Sequence, residues 1–333
     1  MKSRWYIIAL AMAVASGANA QATSNRMTSA LDTSQLHGMR YRMLGPARGG
    51  RVTTVTGVPQ QPQTFYMGST GGGIWKTTNA GQSWTNVSDG YLATASMGSI
   101  DVADSDPNIV YAGTGSDGIR SNVSIGRGIY KSIDAGKTWS FIGLRDMGQI
   151  GSVIVHPANP DIVLAAALGN PFKPTPERGV YRTRDGGRTW ERVLFVSDST
   201  GAVDIEFQPG NPSVVYAAMW RAERKPWTII SGASEGGIYR SSDGGSTWTK
   251  LSNGLPAGLV GKADFAVSPS KPDRLYVLIE AKPGGGLYRS DDAGKSFIAV
   301  DTTTRGLITR PFYYTNIDAD PTNADIVYVG TEG

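Results

Sequence analysis

The sequence predicts an all-β chain, a β-propeller of four-stranded antiparallel blades with five full blades and part of a sixth. Three recurrences predict it. An eight-residue pattern, Ser/Thr-x-Asp/Asn-x-Gly-x-Ser/Thr-Trp/Phe, occurs five times, at 77–84, 132–139, 183–190, 241–248 and 290–297. Its acidic or amide residues, Asn79, Asp134, Asp185, Asp243 and Asp292, follow one another at 55, 51, 58 and 49 residues. Directly ahead of each copy stands Gly-apolar-aromatic-basic-Ser/Thr, as in Gly73-Ile74-Trp75-Lys76-Thr77. Farther upstream, a turn usually flanked by Pro precedes a β-rich run; it recurs six times, at 59–62, 104–107, 157–160, 209–212, 269–272 and 321–324. A period near fifty residues means one supersecondary unit repeated, and four short strands per unit suit a blade.

Each element follows from local chemistry. Strand A precedes the Pro turn and strand B follows it, because Pro cannot donate to a ladder and marks a break. Strand C leads into the eight-residue box, and strand D starts at its closing aromatic. In the box, the Asp or Asn is expected to accept hydrogen bonds from backbone N–H groups one or two residues on. The Gly supplies a backbone conformation that a Cβ resists. Trp84, Trp139, Trp190, Trp248 and Phe297 would pack beside their turns. One catalytic or calcium-binding Asp does not need five copies at one spacing, so the box reads as structural. The pattern is identified as the Asp-box, or bacterial neuraminidase repeat. A solenoid of β-arches is the alternative architecture for such a period.

The leader and the two ends complete the plan. Lys2 and Arg4, the apolar run from Trp5 to Ala15 and Ala18-Asn19-Ala20 read as a signal peptide over 1–20, with an N-terminal anchor as the alternative. Residues 21–36 are polar and aperiodic, a disordered lead-in, and 37–333 form the propeller. Tyr41 to Gly45 resembles the D strands and would latch a last blade, while Asn316 to Val329 supplies strands A and B of a sixth. Strand C of that blade is expected in sequence beyond Gly333. The expectation is a secreted or periplasmic protein with no stable membrane span once the signal is removed.

Composition excludes several functions. The net charge of +4 falls to +2 without Lys2 and Arg4, which gives no electrostatic case for nucleic acid. There is no Cys, so an exported fold must rest on packing alone. His37 and His156 are the only histidines, too few for a histidine-rich zinc site and a poor basis for a Ser-His-Asp triad. No metal or cofactor is expected. Gly113-Thr114-Gly115-Ser116-Asp117-Gly118 has dinucleotide spacing but no helix after it, and the Gly-Lys-Thr and Gly-Lys-Ser at 136–138 and 294–296 lie inside boxes.

Site candidates follow from blade topology. A–B and C–D turns share one face; the variable B–C and D–A connections share the other, where binding residues sit on a rigid frame. The B–C loop of blade 4, 219–236, carries Trp220, Arg221, Glu223, Arg224, Lys225 and Trp227. It reads either as a stacking platform for sugar rings or peptide, or as a lid whose Trp residues are buried. Blade 2 offers Asp117, Arg120 and Arg127; blade 3 offers Phe172, Lys173, Glu177 and Arg178. The connection into blade 6 offers Arg305, Arg310, Phe312, Tyr313 and Tyr314. The ligand-binding set is Trp220, Arg221, Arg224, Trp227, Arg120, Arg310 and Tyr313. A second candidate is strand A itself. Thr54, Ser99, Ser152, Asp204, Asp264 and Asn316 occupy equivalent positions, each followed by an apolar residue. This alternation turns a polar set toward the central channel. Asp101, Asp204, Glu206, Asp264 and Asp318 then read either as acid/base carboxylates or a cation site, or as a hydrated channel lining.

The chain from about residue 45 onward resembles exported bacterial propellers of the glycosyl-hydrolase and sortilin-like group. Leu44-Gly45-Pro46-Ala47-Arg48-Gly49-Gly50-Arg51-Val52 is similar to that family's opening, and Arg310-Pro311-Phe312-Tyr313-Tyr314 to a later signature. The resemblance implies three functions. In sialidases an arginine cluster grips a carboxylate, a part for which Arg48, Arg51 and Arg310 are available. Xyloglucan-cleaving propellers carry a catalytic Asp just ahead of a Gly-Gly at the first B–C turn; Thr70 stands there in this chain, and their second carboxylate lies in a second propeller. Sortilin-like propellers bind peptides, and plastid-type relatives act as assembly factors. The expectation is a glycan- or peptide-binding scaffold, with a glycoside hydrolase acting through the channel carboxylates as the alternative.

Overall fold

The computed structural model describes residues 51–303 and 306–332. The expected leader, lead-in and latch strand at 41–45, together with Arg48 and Arg305, lie outside the described residues.

Strands meet their chain neighbours, as the turn spacing predicts, except that β14 pairs with both β15 and β16. Sheet 1 holds β1 (Val52–Gly57), β2 (Phe65–Ser69), β3 (Ile74–Thr77) and β4 (Thr85–Asn86). Sheet 2 holds β5 (Met97–Val102), β6 (Val110–Thr114), β7 (Ile129–Ser132) and β8 (Ser140–Gly143). Sheet 3 holds β9 (Gln149–Val155), β10 (Val163–Gly169), β11 (Gly179–Thr183) and β12 (Glu191–Leu194). Sheet 4 holds β13 (Thr200–Gln208), β14 (Asn211–Arg224), β16 (Gly237–Ser241) and β17 (Thr249–Lys250), with β15 (Ile229–Ser231) added to the end of β14. Sheet 5 holds β18 (Val260–Val267), β19 (Leu275–Ala281), β20 (Gly286–Ser290) and β21 (Ile298–Asp301). One helical turn, α1 (Pro311–Tyr314), precedes the two-stranded sheet 6 of β22 (Asn316–Ala319) and β23 (Val327–Gly330). Neighbouring strands in every sheet are antiparallel, and the architecture is a β-propeller.

The box works differently from the local turn expected. Asp134 Oδ1 accepts the N–H of Thr138 at 2.9 Å, four residues on rather than one or two. Its Oδ2 accepts the Thr138 hydroxyl at 2.6 Å. Asp185, Asp243 and Asp292 repeat both bonds with Thr189, Thr247 and Ser296. The first hydroxyl of the box, such as Ser132 Oγ, donates to Asp134 and accepts the N–H of Gly136. The carboxylate thus spans the loop and ties its end to its start. That geometry needs two successive left-handed residues, and Ala135 and Gly136 have φ of 58° and 84°. These hydrogen bonds hold the carboxyls of Asp134, Asp185 and Asp292 down at about 2.

Every box also leans on the A–B turn of its own sheet. Ala80, Ala135, Gly186, Gly244 and Ala293 donate their N–H groups to Gln63, Asn108, Asp161, Ser213 and Asp273. Boxes and Pro turns therefore share one face. The 219–236 segment lies on the other, where Arg224 N–H donates to Pro171 in the B–C loop of sheet 3.

Sheets are joined across their faces by packing and by a few directed bonds. Tyr66 and Tyr216, from strand B, donate their hydroxyls to the box carbonyls of Ala135 and Ala293 in the next sheet, at 2.8 and 3.1 Å. Tyr111 and Tyr276 reach the next sheet's A–B turn at Pro160 and Ala324. Trp139 and Trp190 point the other way, donating Nε1 to Val87 and Ile142 of the preceding sheet, both at 2.9 Å. The closing aromatics therefore serve the seam between sheets as well as their own turn.

Candidate functional site

The inner strands converge on a polar cavity of about 330 Å³. All six aligned positions, Thr54, Ser99, Ser152, Asp204, Asp264 and Asn316, line it, joined by Glu206, Asp318, Asp117 and Lys262. Period-two alternation placed them there: the intervening Ile100, Val153, Ile205, Phe265 and Ile317 are buried in the seams, whereas Val55 is exposed.

Most of these groups have a structural task. Adjacent A strands share no ladder, so their N–H groups need acceptors from elsewhere. Side chains supply them. Thr54 Oγ1 accepts from Ile100 N–H at 3.2 Å and Ser99 Oγ from Val153 N–H at 2.9 Å. Asp101 Oδ2 accepts from Val155 N–H at 2.7 Å, Glu206 Oε2 from Val267 N–H at 3.1 Å, and Asp264 Oδ2 from Ile317 N–H at 2.9 Å. Asp101 does not line the cavity. Its carboxyl is spent on this bond and on Val102 N–H at 2.9 Å.

Electrostatics in the channel are those of too many acids in too little water. Burial pushes Asp101 up to about 7. Burial, then the charge of Asp204, hold Asp264 and Glu206 well above the carboxylate range. Asp204 and Asp318 are raised by burial as well. Asp204 and Asp264 face one another across this cavity, and the charge of Asp204 adds to burial in raising Asp264. Opposite them Lys262, only 4% exposed along its side chain, pairs with Asp117 at 2.6 Å. Burial alone would lower the Lys262 ammonium; Asp117, Asp264 and Asp204 hold it above its usual value.

Glycoside hydrolysis needs two carboxyls about 5–5.5 Å apart for retention or about 6.5–9.5 Å for inversion, with the sugar between them; Glu206 and Asp264 each already spend an oxygen on the N–H group of Val267 or Ile317. Among the described residues no group of three or more His, Asp or Glu has the geometry of a metal site, and no helix is long and apolar enough to cross a membrane.

The variable face holds a second cavity, of about 400 Å³. It brings together two stretches expected to bind ligand: Arg224, Pro226 and Trp227 from sheet 4, and Pro311 and Phe312 from the connection into sheet 6. Glu280, at the end of strand B in sheet 5, closes one wall. Trp227 is 82% exposed and presents its ring to solvent. Trp220 is 0% exposed and offers no face to a ligand. It belongs to the core with Tyr216, Ala218 and Ala222, and donates Nε1 to Ser231 Oγ at 2.9 Å. Ser231 in turn donates to Glu280 Oε2 at 2.9 Å, so the buried Trp fixes the groove's carboxylate. Of the two Trp residues, Trp220 is core within β14 and only Trp227 presents a ring at the surface.

The other candidates separate similarly. Arg120 lies 4.3 Å over the Tyr313 ring, and Tyr314 meets Tyr313 edge-on at 4.5 Å. Arg310 pairs with Glu332 at 3.2 Å and is not among the groove residues. Arg221 also lies outside the groove. Arg178 is wholly buried, donating Nη2 to the carbonyls of Asn170, Lys173 and Ala222, and so braces the sheet 3 loop. Thr70 donates its N–H and its hydroxyl to the Arg51 carbonyl. Sequence reasoning missed Lys262 and Glu280. The available signal for Lys262 was a lone cation in an otherwise apolar and acidic inner strand; for Glu280 it was a carboxylate at the mouth of a variable loop.

No family model matches the chain. A xyloglucanase of Hypocrea jecorina (strain QM6a) is 29% identical over 231 residues, 61% of this chain and 26% of that protein. A xyloglucanase of Paenibacillus sp is 28% identical over 279 residues, 74% of this chain and 25% of that protein. A probable oligoxyloglucan-reducing end-specific xyloglucanase of Neosartorya fischeri is 30% identical over 144 residues, 40% of this chain and 16% of that protein. The chain thus spans about a quarter or less of the length of these relatives. Among solved structures, an ancestral GH74 enzyme superposes with a TM-score of 0.63 at 22% identity, covering 84% of this chain and 35% of that one. A GH74 enzyme of Niastella koreensis superposes with a TM-score of 0.60 at 20% identity, covering 84% and 43%. At these identities the superpositions establish the fold, and that fold is the β-propeller.

Proposed function

We propose that this chain is the carbohydrate-contacting propeller of an exported glycoside hydrolase acting on a β-glucan of the xyloglucan class. The observation that carries the reading is the sequence similarity to xyloglucanases from a fungus and a bacterium, which spans 61% and 74% of this chain. It favours the hydrolase alternative over the free-standing scaffold expected from sequence. The Asp-box class of the repeat belongs to the same reading, since the box geometry recurs in each of the five larger sheets.

The groove of the variable face fits the substrate. An exposed Trp ring stacks on a pyranose face through its C–H groups, and an adjacent guanidinium and carboxylate bind hydroxyls. Trp227, Arg224 and Glu280 supply these three functions in one cavity. Asp101, Glu206 and Asp264 are assigned to the frame, because their oxygens satisfy N–H groups of the next sheet. Glycosidic cleavage then needs a second carboxyl facing Glu280 across the bound chain, or a pair elsewhere on the same face.

The test is affinity electrophoresis in gels containing tamarind xyloglucan, with reducing-end release measured alongside. The wild-type chain is expected to be retarded, Trp227→Ala to bind at least tenfold more weakly, and Asp204→Asn to bind as the wild type does. Unretarded wild-type protein, or retardation that depends on Asp204 and not on Trp227, refutes the proposal.

A further inference from the structure

Three separate segments build a seat for the groove carboxylate. Strands β18 and β19 slip register between Val260 and Ala263, so Gly261 and Lys262 together oppose Glu280. A bulge of this kind frees backbone groups that a regular ladder would consume. The Lys262 N–H accordingly donates to Glu280 Oε2, at 3.0 Å. The Lys262 side chain runs to the channel, where its pair with Asp117 anchors it. The same Glu280 oxygen accepts the Ser231 hydroxyl at 2.9 Å. Ser231 ends β15, and the Ala233–Val260 bridge just after it ties that segment to the start of the bulge. Trp220 Nε1 donates to Ser231 Oγ from behind, which leaves the hydroxyl proton for Glu280.

Gly261 completes the seat by what it lacks. Its backbone is not left-handed, so conformation does not call for glycine there. Space does. A Cβ at 261 would fall on the Glu280 carboxylate, with Cγ only 2.7 Å away, and its three nearest atoms all belong to that one side chain. The bulge glycines of sheets 2 and 3 differ. A Cβ at Gly98 or Gly151 would meet backbone of the next sheet, at Ile150 or Val203, so those two serve sheet packing. Two donors thus hold Glu280 Oε2, and among the described residues no donor reaches Oε1.

We infer that Gly261 and Ser231 are positioning residues of the groove, fixing Glu280 so that Oε1 is presented as an acceptor for a hydroxyl of the bound glycan. The inference rests on the glycan reading of the groove that Glu280 shares with Trp227 and Arg224. A carboxylate already held by two donors has little orientational freedom left to lose on binding. Its free oxygen then makes the stronger, charge-assisted kind of hydrogen bond.

The test is affinity electrophoresis of the full chain in tamarind xyloglucan gels, with thermal midpoints measured on the same variants. Glu280→Ala and Gly261→Ala should each weaken retardation about tenfold, the worth of one bond to a charged acceptor. The double variant should be no weaker than either, because Gly261 acts only through Glu280. Ser231→Ala should weaken retardation about threefold, and Ser231→Thr, which keeps the hydroxyl, should recover the loss. The midpoint needs no ligand: Gly261→Ala lowers it in the wild-type chain and leaves it unchanged beside Glu280→Ala, where the clash is gone. Should Gly261→Ala fail to fold, the two Ser231 variants decide. Wild-type retardation of Gly261→Ala, an additive double variant, equal midpoint losses in both backgrounds, or equal weakening by Ser231→Ala and Ser231→Thr overturns the inference. Retardation lost in Trp227→Ala and kept in both positioning variants overturns it and spares the groove; an unretarded wild type removes the groove reading and this inference with it.

Discussion

Asp101→Asn tests whether the acidic inner strands are frame or chemistry. The Asp101 carboxyl is pushed from its ordinary 3.8 to about 7 by burial, despite bonds from Val155 and Val102 N–H. The sign follows from linkage. A carboxyl raised in the folded state binds its proton more tightly there than in the unfolded chain. Its contribution is full below the unfolded value, falls as pH rises from about 4 to about 7, and is constant above. A shift of about three units corresponds to at most ~4 kcal/mol. Urea unfolding of the wild type at pH 4 to 8 should therefore lose stability toward neutrality, with Glu206, Asp264, Asp204 and Asp318 adding in the same direction. Asp101→Asn removes one share of that slope. It also carries a pH-independent cost of about 1–2 kcal/mol, because an amide accepts one of the two N–H bonds and opposes the other. The slope and the offset separate in the same experiment. A variant whose stability runs parallel to the wild type across the whole range refutes the account of Asp101.

Other outcomes follow from the same geometry. Trp220→Ala should cost about 3–5 kcal/mol in urea unfolding, the range for removing a buried aromatic, while Trp227→Ala stays within about 0.5 kcal/mol of wild type, as exposed positions do; equal effects would contradict the placement of the two rings. Gly187→Ala should lower the thermal midpoint, because φ there is 95° and a Cβ would stand 2.5 Å from Ile142 Cδ1 of the preceding sheet; an unchanged midpoint would mean the box has room to relax. Tyr216→Phe leaves the Ala293 carbonyl without its donor and should cost about 1 kcal/mol by the same unfolding assay. Below pH 4 the box carboxyls act in the opposite sense to the channel acids. Their values are depressed, so their contribution is lost as pH falls toward about 2, and acid unfolding should set in there.

The fold was legible because its signals are local. A Gly that must be left-handed, a carboxylate that spans a loop and a Pro that cannot pair each constrain the few residues around them, and their recurrence dates every blade. The channel lining was legible for a related reason: alternation needs only one strand to be read. What the lining residues bond to was not, since Asp101 and Val155 lie 54 residues apart and meet only when two sheets pack. The 219–236 loop shows how a readable signal can still be misplaced. Tyr216, Ala218, Trp220 and Ala222 continue one alternation through the whole of β14, so Trp220 was marked as core by the same rule that marked Tyr216. Treating Met219 as the start of a loop broke the count eight residues before Trp227, the ring that turns outward.

That distinction separates frame from function in this molecule. Many residues that obey the repeat are spent on the frame: the box carboxylates close their own loops, Tyr66, Tyr111, Tyr216 and Tyr276 reach the next sheet, and Thr54, Ser99, Glu206 and Asp264 accept N–H groups across the seams. Groups free to meet a ligand are those the repeat does not generate. Among the described residues, Trp227 stands on an extension found in only one sheet, Phe312 on the single helical turn, and Glu280 near the end of strand B in sheet 5. In a propeller the repeated face must be regular to close each turn, so chemical individuality can accumulate only at the opposite rim. The groove at that rim is where departures from the repeat coincide in space, and it is the coincidence, more than any one residue, on which the proposed site rests.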